Sequence, residues 1–532
     1  MSTVRDETHD VMRKLGLTTV FGNPGSTEET FLKNFPSDFN FVLALQEASV
    51  LAIADGFAQA TRTVAFVNLH TAPGLGNALG NLVNSRMSKT PMILTTGQQT
   101  REMLLMEPWL TNVDATQFPK PHVKWSYETS RAQETPAAFM RAYAVASQPP
   151  QGPAYLSLPL DDWEAESSGP AVMRTVATRT APDPERLSDF AGRLRSAKNP
   201  ALVLGPDVDR ADAWPEAISL AERLGIAVFG PPGGERCGFP EDHPQFAGNL
   251  KFAIGPLSEQ LTGHDLVLVI GAPVFRYYPY VPGKYLPDGC QLLHITDDPE
   301  EAGRAPVGDS LVSNAKLALQ GLLPLIEQYQ TKSFQRSSSP APVADTSSPM
   351  STDAFYGAIS RVRPDDSVIV EESPSNLATL HKHLPTRRPL SFFTMASGGL
   401  GWGLPGGIGV ALGERKTGRN RPVISVIGDG SFQYSIQSLW TAAQQKARLV
   451  ILVPVNEEYA ILKAFAKQEE TPGVPGLNIP GIDIAGLAAA YGCKTSHAST
   501  PDDVSDQIKA ALQHDGPTVI AAKISNTIPP LL

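Results

Sequence analysis

Long apolar runs are missing from this 532-residue chain, and no window approaches the ~20 uninterrupted apolar residues of a bilayer-spanning helix, so no membrane role is expected. Cysteine is scarce. The three thiols, Cys237, Cys290 and Cys493, lie far apart without CxxC spacing or neighbouring histidine pairs, which argues against a disulfide framework or a thiolate zinc site and leaves them as packing residues. Basic runs are absent too, and a net charge of -10 offers no electrostatic footprint for nucleic acid. The opening stretch, MSTVRDETHDVMRKLG, lacks the apolar segment of a secretory signal, so a cytosolic location is the expectation. Small-molecule chemistry is what these absences leave.

The chain is too long for one core, and its patterning divides it into α/β units. From residue 1 to about 170, β-rich runs (TTVFGN, FNFVLAL, VAFVNLH, PMILTTG, PAYLSLPLD) alternate with helical patterns, the mark of a parallel sheet. A second such unit spans 182–330. Residues 331–350 are rich in Ser and Pro and read as a solvated linker, after which SVIVEES, PVISVIGDG, RLVILVPVN and PTVIAAKIS supply strands of a third unit over 351–532. Three doubly wound parallel-sheet units are therefore predicted, with no fixed-period repeat among them.

The third unit carries the most specific pattern. A buried-type strand runs into Gly428, Asp429 and Gly430, at the carboxyl end of a sheet, where ligands of open α/β folds bind. A helix expected to begin near Ser431 offers N–H groups to an anion, and the Ser431 hydroxyl adds a donor. GDG alone is an ordinary strand-ending turn. However, Asn456 follows the next strand, so two oxygen ligands would stand side by side, and with a backbone carbonyl and diphosphate oxygens they would complete the all-oxygen shell of magnesium or calcium.

In the first unit, ALQEASVLAIADGFAQAT sets Glu47 where an apolar strand gives way to an apolar, small-residue helix, surroundings that desolvate a carboxylate as a proton-handling group requires. By position alone, a Glu at a helix start is a dipole-compensating residue. FGNPGSTEE brings Asn23, Pro24, Gly25 and Ser26 into a turn after a strand, and VNLHTAPG ends another strand at His70. Both are well placed for carboxylate binding and proton transfer, although for His70 alone a hydrogen-bonded structural role fits equally well. GLGNALG mimics a dinucleotide loop but has one residue too many before its last Gly.

These motifs, with IADGFAQA, GQQTR, LTNVDA, VKWSYE, GAPVFRY, GGLG and SLWTAAQ, resemble the thiamine-diphosphate-dependent 2-oxo acid decarboxylases of the benzoylformate branch over nearly the whole chain. The resemblance implies pyrimidine-binding, central and diphosphate-binding domains in that order, thiamine diphosphate with Mg2+ (or Ca2+), a 2-oxo acid substrate, and a homo-oligomer built as a dimer of dimers. It assigns Glu47 to the aminopyrimidine ring, Leu400 to bending the cofactor, and Asp429, Asn456 and the carbonyl of Glu458 to the metal. It further assigns Asn23, Pro24, Gly25, Ser375, Gly398, Gly428, Gly430, Ser431, Tyr434 and Tyr459 to cofactor binding, and Ser26 and His70 to substrate and proton transfer.

Departures from the pattern are specific. Val455 precedes Asn456 where the family carries a second asparagine, and Tyr278 stands, as the candidate catalytic replacement, where a second catalytic histidine is expected. A phenol gives up its proton far above neutrality and is a poorer shuttle than an imidazole. Trp109 replaces a pocket leucine beside Leu110, and Ile461 replaces a smaller residue, while Leu462 and Phe465 keep the pocket apolar. Decarboxylation of an aromatic or bulky 2-oxo acid is the expected activity. A carboligase, or a cofactor-binding homologue without turnover, is the alternative.

Overall fold

The computed structural model describes residues 2–326, 334 and 347–531, so most of the expected linker at 331–350 lies outside the described residues. Met350, at the end of that stretch, is fully buried in the core of the third unit. The first sheet comprises β1 (Thr19–Asn23), β2 (Asn40–Leu43), β3 (Ala65–Leu69), β4 (Met92–Gln98), β5 (Trp125–Glu128) and β6 (Pro153–Pro159). The second comprises β7 (Pro200–Leu204), β8 (Ala227–Gly230), β9 (Phe246–Asn249), β10 (Leu266–Ile270), β11 (Gln291–Thr296) and β12 (Asp309–Val312). The third comprises β13 (Val368–Glu372), β14 (Phe392–Thr394), β15 (Val423–Ile427), β16 (Leu449–Val455), β17 (Lys494–Ala498) and β18 (Thr518–Lys523).

Neighbouring strands pair in parallel in all three sheets. Strands such as β10, LVLVI, are buried at every residue, as a sheet covered by helices on both faces requires. The first sheet runs β2-β1-β3-β4-β6-β5 and the third β14-β13-β15-β16-β18-β17, which is the same order. The central sheet runs β12-β11-β10-β7-β8-β9, the order of a dinucleotide-binding fold. Periodicity had made the three units alike; topology pairs the outer two.

The outer units also share one core. Helix α1 (Glu47–Thr61) follows β2, α2 (Thr71–Met87) follows β3, and in the third unit α3 (Gly403–Lys416) follows β14. Helix α1 is apolar around most of its circumference and is buried almost end to end, and it packs lengthwise on α3. The backbones meet because α3 is glycine-rich and α1 places its one glycine at the seam: a Cβ on Gly56 would lie 2.1 Å from the Gly406 carbonyl oxygen. Buried ion pairs tie in the central unit, with Lys89 Nζ 2.7 Å from Asp207 and 3.2 Å from Glu301. No helix among the described residues is long and apolar enough to cross a membrane.

Candidate active site

In both outer sheets the strand order reverses inside the sheet, between β1 and β3 and between β13 and β15. Crevices at such switch points are where open α/β sheets bind ligands. Asn23 ends β1 and His70 follows β3, while Glu372 ends β13 and Gly428 follows β15. Asn456 follows β16, the next strand along.

Glu47 is the first residue of α1 and only 7 % exposed. It does not cap its helix. Gln46 does so, its side chain accepting the N–H groups of Ala48 and Ser49 at 2.7 and 3.2 Å. The Glu47 carboxylate is held instead by two side-chain amides, Asn23 donating to Oε1 at 3.0 Å and Asn77 to Oε2 at 2.9 Å. The dipole-compensation reading of this residue is thus replaced by a fixed, buried acceptor.

His70 is the N-cap residue of α2, but its ring makes no capping bond. Its Nδ1 lies 2.8 Å from Oε2 of Glu28, a 1 % exposed residue that the sequence reading passed over. Oε2 also accepts the N–H of Gly25 at 2.9 Å, and Oε1 accepts from Gly97 N at 2.8 Å and the Thr27 hydroxyl at 2.7 Å. A group that accepts on all sides is a carboxylate, so Nδ1 of His70 is the donor, and Nε2 is left to give or take a proton. The turn must be glycine here, since a Cβ on Gly25 would fall 2.1 Å from His70 Nδ1. The available signal for Glu28 was an acid two residues beyond Ser26 in a strand-ending turn. Pro24 and Ser26 are exposed in that same turn.

In the third unit the expected helix starts on Asp429 itself, as α4 (Asp429–Phe432), and lasts a single turn. Asp429 Oδ1 accepts the N–H of Gly430 at 2.9 Å and so caps from inside the helix, which moves the start two residues earlier. So short a helix has little dipole to offer an anion, and the Ser431 side chain beside it is buried. Asp429 Oδ2 accepts from the backbone of Asn456 and Glu457 at 3.0 and 2.7 Å, which joins the two segments through the main chain, while the Asn456 amide oxygen accepts from Glu458 N at 3.2 Å. Burial raises the Asp429 carboxyl above its ordinary range despite those N–H bonds, and among the described residues no Lys or Arg pairs with it. A buried carboxylate without a side-chain cation suits a hard dication. The Glu458 carboxylate is engaged by Lys463, which neutralises its charge.

Leu400 is half-buried in a turn between Gly398 (φ +75°) and Gly401 (φ +109°). Ser375 lies in the short 3-10 helix after β13, and Tyr459 packs over Gly430, where a Cβ would meet its ring at 2.5 Å. Tyr434 is exposed. On α5 (Ala460–Gln468), Phe465 meets the Tyr278 ring at 5.0 Å between centroids, beside partly buried Ile461 and exposed Leu462. Trp109 and Leu110 belong to the first unit, where they are 94 % and 38 % exposed. Among the described residues no hydrogen bond or ion pair joins the Glu28–Glu47–His70 set to the Asp429–Asn456 set. GLGNALG falls within α2 rather than in a strand-to-helix turn, which removes the dinucleotide-loop reading.

Thiamine pyrophosphate (diphosphate) enzyme family models match in succession, the N-terminal TPP binding domain over residues 2–118, the central domain over 187–322 and the C-terminal TPP binding domain over 375–522. The chain belongs to the thiamine pyrophosphate enzyme family. Within it, the chain is 43% identical over 525 residues to a benzoylformate decarboxylase of Pseudomonas aeruginosa, covering 98% of each. The crystal structure of benzoylformate decarboxylase from Polynucleobacter necessarius superposes with a TM-score of 0.98 at 51% identity, over 100% of both chains. A 4-hydroxybenzoylformate decarboxylase of Rhodococcus jostii superposes at 0.95 with 40% identity, over 98% of this chain and 99% of that one. The three sheets correspond to the family's N-terminal, central and C-terminal domains, in the order the motifs had implied.

Proposed function

We propose that this protein decarboxylates an aromatic 2-oxo acid of the benzoylformate type to an aldehyde and carbon dioxide, with thiamine diphosphate as cofactor. Thiamine diphosphate, when bound, supplies a thiazolium carbon that adds to the 2-oxo group and an electron sink for carbon dioxide loss. Asp429, the Asn456 amide oxygen and the Glu458 carbonyl would hold a Mg2+ or Ca2+ ion against its diphosphate, with Gly428 and Gly430 allowing close backbone approach and the Ser431 hydroxyl offering a donor.

The chain's own residues divide the remaining work. Glu47, fixed by Asn23 and Asn77, is the buried carboxylate that would bind and polarise the aminopyrimidine ring. Ser26 would orient the substrate carboxylate from its exposed turn. His70, its Nδ1 engaged by Glu28, would exchange protons at Nε2. Phe465 and Tyr278 form an aromatic wall suited to a planar acyl group.

The observation that carries the decarboxylase reading is the Glu28–His70 couple beside Ser26, because release of an aldehyde requires a proton, and with Nδ1 held by Glu28 the imidazolium form of His70 would supply one from Nε2. A homo-oligomer is proposed with it. The two residue sets do not bond to one another within one chain, and Leu105, Met106 and Trp109 leave large apolar groups 97%, 67% and 94% exposed, suited to cover by a second copy. The deciding experiment incubates the protein with thiamine diphosphate, magnesium and benzoylformate and follows products. Benzaldehyde is expected as the main product; acyloin alone would make the enzyme a carboligase, and no turnover on any aromatic 2-oxo acid would overturn the proposal.

A further inference from the structure

We propose that Asn84 and Glu372 are positioning residues that clamp the Leu400 turn from its two sides, so that the apolar wedge is set by polar groups far apart in the chain. The inference rests on the role given to Leu400 above. The turn runs from β14 to α3 and is rich in glycine, so its own side chains do little to fix its shape. On the upstream side, Oδ1 of Asn84 accepts the N–H groups of Ala396 and Ser397 at 2.7 and 3.2 Å. On the downstream side, Oε1 of Glu372 accepts Gly401 N at 2.7 Å and Oε2 accepts Gly403 N. Between the clamps, Gly399 N donates to the Ser397 hydroxyl at 3.1 Å.

Both clamping side chains are buried, Asn84 at 1% and Glu372 at 0% exposure. The Asn84 Nδ2 group is buried without a partner, a costly state that an aliphatic residue of the same shape would avoid, which marks the Oδ1 acceptor as what the position supplies. Glu372 does more than cap α3. Its backbone carbonyl accepts the N–H of Gly428 at 3.0 Å, so one residue registers the Leu400 turn by its side chain and the Gly428–Asp429 motif by its main chain. Asn84 belongs to α2, the helix that starts beside His70 and whose Asn77 holds Glu47. The turn is therefore referenced to the diphosphate end through Glu372 and to the first unit through Asn84.

The test uses the holoenzyme loaded with thiamine diphosphate and magnesium, and compares Leu400→Ala, Asn84→Leu, Asn84→Asp and Glu372→Gln. Three quantities are read: deuterium exchange at the thiazolium C2 per bound cofactor, cofactor affinity by tryptophan fluorescence, and Tm. Leu400→Ala, Asn84→Leu and Glu372→Gln are each expected to slow exchange by ~10-fold, since a misplacement of an ångström weakens enforced proximity. Asn84→Asp keeps an acceptor and should restore exchange to within about twofold of the parent. Asn84→Leu combined with Leu400→Ala should be no slower than Leu400→Ala alone, as expected of residues acting through one another. If Leu400→Ala slows exchange while Asn84→Leu and Glu372→Gln lower only Tm, the clamp is overturned and the Leu400 role stands. If Leu400→Ala leaves exchange unchanged, both fall. Should Glu372→Gln not fold, the Asn84 pair decides.

Discussion

The first and third units share a strand order and each uses its switch point, yet they build opposite kinds of half-site. In the first, side chains hold side chains: Glu28 fixes His70, and Asn23 and Asn77 fix Glu47. In the third, the backbone does the holding, with the N–H groups of Gly430, Asn456 and Glu457 on Asp429 and those of Gly401 and Gly403 on Glu372. The difference fits the roles proposed for the two sets. Proton handling needs titratable groups of defined orientation, whereas a cradle for an anion and its metal needs close main-chain approach. One topology thus serves both because the switch point supplies only a place; the residues at the strand ends supply the chemistry.

This division can be broken by substitution. Glu47→Gln should lower kcat by ~10³-fold with cofactor affinity little changed, because it removes a charge from the proton-handling half and leaves the cradle intact. Initial rates at saturating thiamine diphosphate measure it, and an unaffected rate would sink the role of Glu47. Asp429→Ala should act in the other sense, weakening magnesium-dependent cofactor retention by ~10- to 100-fold, with much of the rate recovered at high metal. Equilibrium dialysis with and without magnesium separates the two effects.

The smallest effect concerns acid stability. His9, enclosed by Phe31, Phe35 and Phe39 in the first unit, is pushed down to about 4 by burial from its ordinary 6.5. Between those values the unfolded chain binds a proton that the folded one does not, so this contribution is complete above 6.5 and is lost as pH falls toward 4. At the edge of the third unit His381 has the opposite sign. Burial lowers it, but Glu241 at 2.8 Å raises it above 6.5 overall, so its contribution is complete below 6.5 and fades as pH rises through its folded value. Denaturant midpoints against pH should therefore show a shallower acid limb in His9→Gln and a steeper loss in alkali for the parent than for His381→Gln.

Composition and local order determined a good deal: parallel α/β units from buried-type strands, the Asp429–Asn456 spacing as a candidate pair, and the family from many short motifs read together, a resemblance that also singled out Glu47. These are local properties, carried by residues a strand or a helix apart. Glu28 as the partner of His70, Gln46 as the true cap of α1, the shared strand order of the outer units and the Asn84–Glu372 clamp were decided only by the tertiary structure. Each depends on groups tens to hundreds of residues apart meeting at a sheet edge, or on which of two adjacent polar residues wins a helix terminus, and neither leaves a periodic trace in the chain.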